Sequence, residues 1–331
     1  MDKGTHMKSK NLNVLITGGA GFIGSHLVDK LLEVFGDNIS ITVVDDLRTG
    51  DLKNLKDVAG KIKMVNSDIE SAKVFSDSNP NHQYDVIYHL AADASVPYCS
   101  DCPISSNENN VSNTVRLLYK AQTQKNLKRF IFASSSAIYG DVDGYDLPTD
   151  ECVRPNPLSN YALQKLAAET YCELYRKNFG LPTVSLRFFN VFGERQKGSG
   201  PYSNVISGWA TKAIKNSPVR LDGTGAQHRD FVYVKDIANA LYLSAFGQVK
   251  AEGIYNIGSG ECHSINEIKE IFQQHFSDLK IENAPARLGD VLVTLSNNNK
   301  FSLLFPEFKI TEFKSAVDKT IMWYKEGLND K

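Results

Sequence analysis

The chain has 331 residues, 42% hydrophobic and 23% charged, with 37 basic against 38 acidic side chains and a net charge of −1. Such a composition suits a globular protein with a large core, and the balance of charge excludes a bulk electrostatic partner such as nucleic acid. No run of about 18 apolar residues occurs, so no segment reads as a membrane span.

Met1 to His6 lack the apolar core and cleavage site of a signal peptide and read as an expression-vector remnant, with the native chain starting at Met7. The five cysteines (Cys99, Cys102, Cys152, Cys172 and Cys262) are an odd, scattered set, as expected of reduced thiols in a cytoplasmic protein. Cys99 and Cys102 have the CxxC spacing of zinc or redox sites. A zinc site needs about four ligands; no second pair accompanies them, so they read as incidental loop cysteines.

Short β-branched runs then alternate with amphipathic stretches. Strands are expected at Asn13–Thr17, Ile41–Val44, Lys63–Val65, Asp85–His89, Arg129–Ala133 and Thr183–Arg187, with a helix from Phe22 to Phe35 after the first. Near-continuous apolar strands separated by helices predict a parallel sheet covered on both faces: an α/β, doubly wound, Rossmann-type domain over residues 7–190. Beyond 190 the pattern loosens. A helix is expected from Tyr202 to Asn216, strands at Phe231–Val234 and Ile254–Ile257 returning to the sheet (231–258), and helices near 264–276 and 314–328. Residues 191–230 and 259–331 should form a smaller C-terminal lobe over the carboxyl edge of the sheet, where such folds bind ligands.

Two constellations carry chemistry. Gly18, Gly21 and Gly24, with Phe22 and Ile23 between them, directly follow the first strand and open the first helix. Bare backbone there admits a pyrophosphate to the positive end of the helix. Asp45 closes the second strand 21 residues after Gly24, placed to bind the adenosine ribose and to repel a 2′-phosphate, which favours NAD over NADP. No Gly-Lys-Ser/Thr follows, so this is no P-loop. Further on, Tyr161 and Lys165 are four residues apart on one helix face. A free phenol has a pKa near 10, and a neighbouring ammonium with a cationic nicotinamide would favour phenolate. Ser135, at the end of the fifth strand, can hydrogen-bond both that phenol and a substrate oxygen.

Taken together, Thr17–Gly24, Asp68-Ile69, His89-Leu90-Ala91-Ala92, Ser134–Gly140, Tyr161-x-x-x-Lys165, Arg187–Asn190 and His228–Phe231 occur in the order found in the extended short-chain dehydrogenase/reductases, which this chain resembles from Asn13 to Tyr324. The resemblance implies a nucleotide-sugar enzyme with tightly held NAD. It places Asp68 and Ile69 beside the adenine, and Leu90, Ala91, Ala92 and Asn110 along the cofactor. It assigns Ser95, Ser136 and Asn190 to substrate, Arg229 and Arg287 to the substrate diphosphate, and Asp290 to the nucleotide ribose. Asn113 departs from the family's usual glycine.

Members that eliminate water carry Asp-Glu after the residue matching Ser135, and UDP-glucuronate decarboxylases carry Glu two residues before the tyrosine matching Tyr139. Ser136 and Ala137 stand here, and neither exchanges a proton as a carboxyl does. The resemblance therefore implies 4-epimerisation of a UDP-hexose through a 4-keto sugar. A UDP-glucuronate 4-epimerase, a 4,6-dehydratase and a non-enzymatic NAD sensor are the competing readings. Thr294 occupies a position where glucose-restricted epimerases have tyrosine, which implies space for an N-acetyl group. The resemblance also implies a homodimer through helices near 103–124 and 159–179.

Overall fold

The computed structural model describes residues 12–71, 83–142, 144–200, 202–286 and 291–329. The chain runs β1 (Leu12–Thr17), α1 (Phe22–Phe35), β2 (Ile39–Asp45), β3 (Ile62–Asn66), β4 (Val86–His89), α2 (Val96–Asp101), α3 (Pro103–Asn107), α4 (Asn113–Ala121), β5 (Arg129–Ser135), α5 (Asn160–Phe179) and β6 (Thr183–Phe188). It continues through β7 (Asn190–Phe192), α6 (Val205–Ile214), β8 (Val219–Asp222), β9 (His228–Arg229), β10 (Phe231–Tyr233), α7 (Val234–Phe246), β11 (Gly253–Ile257), β12 (His263–Ser264), α8 (Ile265–His275), β13 (Ile281–Ala284), α9 (Asn299–Leu304) and α10 (Phe313–Asn329).

Seven strands form one parallel sheet in the order β11-β6-β5-β4-β1-β2-β3. Pleat alternation sorts its side chains: Val14 and Ile16 of β1 join the core holding Leu27 and Leu31 of α1 and Leu241 of α7. Leu15 faces the other way, into the core holding Leu117 and Leu118 of α4 and Cys172 of α5. Each such buried aliphatic side chain stabilises the fold by about 1.5–3 kcal/mol. This is the doubly wound Rossmann-type α/β fold. Its strand order reverses between β1 and β4, and the crevice at that switch lies outside the carboxyl ends of the strands.

A smaller core holds the lobe together, with Trp209 of α6 packed edge-on against Phe272 of α8, and Val317 and Ile321 of α10 alongside. The expected strand at Phe231–Val234 does not enter the main sheet. β11 already occupies the free edge of β6, so β10 pairs with β7 in a separate two-stranded sheet. Its residues alternate between layers: Val232 joins the sheet core, Phe231 and Tyr233 the lobe core. The helix expected from Tyr202 starts later, at Val205. Asn204 forms a capping box there, its side chain accepting from Ser207 N–H while Ser207 Oγ accepts from Asn204 N–H. No helix among the described residues is long and apolar enough to cross a membrane.

Candidate active site

A cavity of about 870 Å³ lies along the carboxyl edge of the sheet, from the β2–β3 side across the glycine turn to the ends of β5 and α5. Its floor is the turn after β1. Gly18 has φ 73°, and a Cβ there would sit 2.7 Å from Ala91 N; at Gly24 it would sit 2.2 Å from Gly18 O. The turn therefore closes only on bare backbone. Gly21 caps α1 with no side-chain hydrogen bond, and the first turn of the helix carries no acid. Its N–H groups open on the cavity, where Gly18, Gly21, Phe22, Ile23 and Gly24 all form wall.

Asp45 lines the cavity beside this turn. Its carboxylate also has a structural task the sequence did not disclose, accepting from Ala20 N–H at 3.0 Å and Leu47 N–H at 2.9 Å and so tying the turn to β2. Burial pushes its pKa up while those backbone donors oppose the shift. Asp68, Ile69, Leu90, Ala91 and Ala92 continue the wall. His89, within the same motif, is scaffolding. It is buried, its ring nitrogens 2.8 Å from Thr17 Oγ1 and 2.9 Å from Thr114 Oγ1, and burial with Lys165 nearby lowers its pKa to about 3.

At the far end, β5 delivers Ser135 and α5 delivers Tyr161 and Lys165, all three on the wall. Ser159 caps α5 by accepting from Ala162 N–H, which fixes where the helix begins and hence where the tyrosine points. Ser135 acts to lower the pKa of the Tyr161 phenol, and its Oγ accepts from Ala137 N–H at 3.2 Å. Burial nonetheless pushes Tyr161 up to about 12, outweighing Ser135. The expected lowering by Lys165 is absent, because that ammonium donates to Ala133 O at 2.8 Å and lies over the Phe132 ring. Burial brings Lys165 itself down to about 8. Beneath these groups the buried Arg187–Glu169 ion pair joins Ser134 and Tyr139, and Tyr139 OH donates to Asn256 Oδ1 at 2.7 Å. The Ser134–Gly140 and Arg187 motifs thus brace the ends of β5 and β6.

Several expected residues stand elsewhere. Asn110 is buried behind the wall, its amide clamping the Asp93 backbone and reaching Gln164 of α5. Ser95 is buried and caps α2, accepting from Tyr98 N–H. Ser136, Arg229 and Thr294 do not line this cavity. Asn190 does, and its amide donates to Asp230 O and to Thr294 Oγ1, so Thr294 sits one hydrogen bond behind the wall. Arg229 donates to His228 O and Leu292 O. Arg287, Asp290 and the Met1–His6 segment lie outside the described residues. Cys99 is buried and donates to Asp93 O, whereas Cys102 is exposed; both are free thiols, and the described residues contain no cluster fit to hold a metal.

The structure adds wall residues that the sequence did not mark. Arg195 and Lys197, on the loop after β7, bring two cations to the cavity. Arg195 Nη2 lies 2.6 Å from Asp29 Oδ2, while its Nη1 is buried without a partner among the described residues. Arg48, Asp93 and Tyr202 also line the cavity.

Residues 14–258 match the model of the NAD dependent epimerase/dehydratase family. A Methanocaldococcus jannaschii protein provisionally named a UDP-glucose 4-epimerase is 35% identical, over 95% of this chain and 99% of its own. A UDP-N-acetyl-alpha-D-glucosaminuronate decarboxylase of Bacillus cytotoxicus is 32% identical, over 96% and 98%. The solved UDP-N-acetylglucosamine 4-epimerase of Methanobrevibacter ruminantium, in complex with UDP-N-acetylmuramic acid, superposes with a TM-score of 0.88 at 33% identity, covering 96% of this chain and 99% of that one. NAD fits the site on physical grounds: the glycine turn leaves room only for backbone, an uncapped helix end faces the cavity, and Asp45 flanks it. The chain belongs to the NAD-dependent epimerase/dehydratase family, with NAD as its cofactor, and the relatives named above are UDP-sugar enzymes.

Proposed function

We propose that the chain inverts C4 of a UDP-hexose, interconverting UDP-glucose with UDP-galactose and the corresponding N-acetyl sugars, through a transient 4-keto sugar. The observation carrying this reading is that Ser135, Tyr161 and Lys165 share the cavity wall, with no carboxyl group on Ser135, Ser136 or Ala137. NAD, when bound, supplies a hydride acceptor that returns what it takes, so the reaction is redox-neutral. Gly18–Gly24 and Asp45 would hold its pyrophosphate and adenosine ribose, and Asp68 and Ile69 would flank its adenine. Ser135 orients the substrate O4 against Tyr161. The phenol removes the O4 proton as hydride leaves C4, and returns that proton to O4 when the turned 4-keto sugar takes hydride back at C4 on its opposite face. Burial raises its pKa in the protein alone, so the base would be armed in the loaded cavity, where a cationic ring beside the phenol would favour phenolate.

Two features support the finer reading. The stretch after β5 lacks the carboxyls that eliminate water or assist decarboxylation, although a decarboxylase is among the relatives. Thr294, the position the resemblance ties to sugar size, is smaller than tyrosine and backs wall residue Asn190. We further infer a homodimer. Leu163, Tyr171 and Leu174 form an exposed apolar stripe on α5, with Ile104 and Tyr119 exposed on α3 and α4. The free thiols suit a reducing, cytoplasmic compartment.

Incubation with UDP-glucose, UDP-N-acetylglucosamine and UDP-glucuronate, with products identified by NMR and mass, tests the assignment. C4 epimers of unchanged mass from the first two are expected; loss of water or carbon dioxide overturns it.

A further inference from the structure

Asp93 lies on the loop after β4 and is 3% exposed, yet it lines the cavity. Its backbone is fixed from three directions. Asp93 N–H donates to Asn110 Oδ1 at 2.7 Å, while its carbonyl accepts from Asn110 Nδ2 at 3.0 Å and Cys99 Sγ at 3.2 Å. Asn110 is itself anchored to Gln164 on α5, the helix that carries Tyr161 and Lys165. The carboxylate therefore projects from a base rigidly indexed to the reaction end of the cavity.

Its two oxygens differ. Oδ1 lies 3.6 Å from Nη1 of Arg48, which reaches over from the loop after β2. Oδ2 is buried and has no hydrogen-bond partner among the described residues. Burial pushes the acid up, while Arg48, Asn109 and Lys165 act to keep it ionised. A buried carboxylate oxygen without a donor is costly, and the cost is removed when a ligand brings one. The ligands of this cavity are rich in one donor type, the sugar hydroxyl.

We propose that Asp93 is a ligand-binding residue whose free carboxylate oxygen accepts a hydrogen bond from a sugar hydroxyl at the Lys165 end of the cavity, with Arg48 as its counter-charge. The hydroxyl belongs either to a ribose of NAD or to the hexose. The NAD case rests on family membership alone, the hexose case on the reaction proposed above.

The test measures affinities of wild-type, Asp93→Ala and Asp93→Asn proteins for NAD, after removal of bound nucleotide, and for UDP-glucose and UDP-N-acetylglucosamine, by calorimetry. Melting temperatures are recorded alongside. Losing a charged hydrogen bond should weaken one ligand class by about ten- to a hundred-fold in the alanine variant, and by less in the asparagine variant, which keeps an acceptor. A loss confined to NAD identifies the ribose; a loss confined to the UDP-sugars identifies the hexose. Affinities within about two-fold of wild type overturn the proposal, as does a parallel loss for both ligands with a lowered melting temperature, which marks a structural carboxylate. If the alanine variant does not fold, the asparagine variant is judged by the same criteria. If no UDP-sugar binds wild type, the NAD measurement alone decides. Absence of C4 epimer from wild type bears on the reaction, not on these ratios.

Discussion

The carboxyl edge of the sheet and the lobe that covers it handle polar groups in opposite ways. At the edge, Ser135, Tyr161 and the first turn of α1 stand on the cavity wall, and that helix end has no side-chain cap. In the lobe, the Asp230 carboxylate is fully buried and collects five donors: N–H and Oγ of Ser259, N–H of Gly260, and N–H and Oγ of Ser296. Thr294 Oγ1 likewise receives the Asn190 amide and Asp230 N–H. Two motifs of equal prominence, Tyr161–Lys165 and His228–Phe231, thus do different work. One stands on the cavity wall, and the other holds β9, β12 and the 291–298 segment in register so that Asn190 stays on the wall.

Two substitutions break this comparison from either side. Tyr161→Phe should lower kcat for UDP-glucose by about 10²- to 10⁴-fold, the scale of positioned acid–base groups, while leaving folding and bound NAD nearly unchanged. The measurements are steady-state turnover and the absorbance of released nucleotide; an active phenylalanine variant removes Tyr161 from the mechanism. Asp230→Ala should act inversely. It strands several buried donors at once and is expected to cost about 3 kcal/mol or more of stability, read by urea unfolding, with turnover falling only as the folded fraction falls. A stable Asp230→Ala protein with impaired UDP-sugar binding would move Asp230 into the ligand site.

The same contrast explains what could be read in advance. The strand–glycine–helix unit was legible because period, turn and spacing coincide: Phe22–Phe35 is the helix, and its glycine turn can be built of nothing larger. Ser135, Tyr161 and Lys165 were legible because strand end and helix start place them without help from distant contacts. Asp93 was not, since an acid in a loop looks solvated until Asn110, 17 residues on, is seen to bury it. Ser95 and Ser136 look like substrate hydroxyls in a motif, and only the structure shows that Ser95 instead caps α2. The pairing of β10 depended on which strand takes the edge of β6, a choice made by β11 some twenty residues later.

Acid should expose the remaining difference, because the edge is held by a buried neutral histidine. His89 bridges Thr17 on β1 and Thr114 on α4, directly under the glycine turn, and its pKa falls from 6.5 to about 3 on folding. Between those values the unfolded chain binds a proton that the folded chain refuses, so stability is lost as pH falls through 6.5. For one group with that shift the loss between pH 8 and pH 5 is about 2 kcal/mol. His26, lowered to about 4 by burial while hydrogen-bonded to Glu194 O, adds in the same direction. Melting temperature measured from pH 8 to pH 5 should therefore decline, and His89→Gln should start lower but decline less steeply. Because the variant retains His26 and every carboxylate, the difference in slope isolates His89. Equal slopes would mean that the β1–β4 switch point does not carry the acid sensitivity.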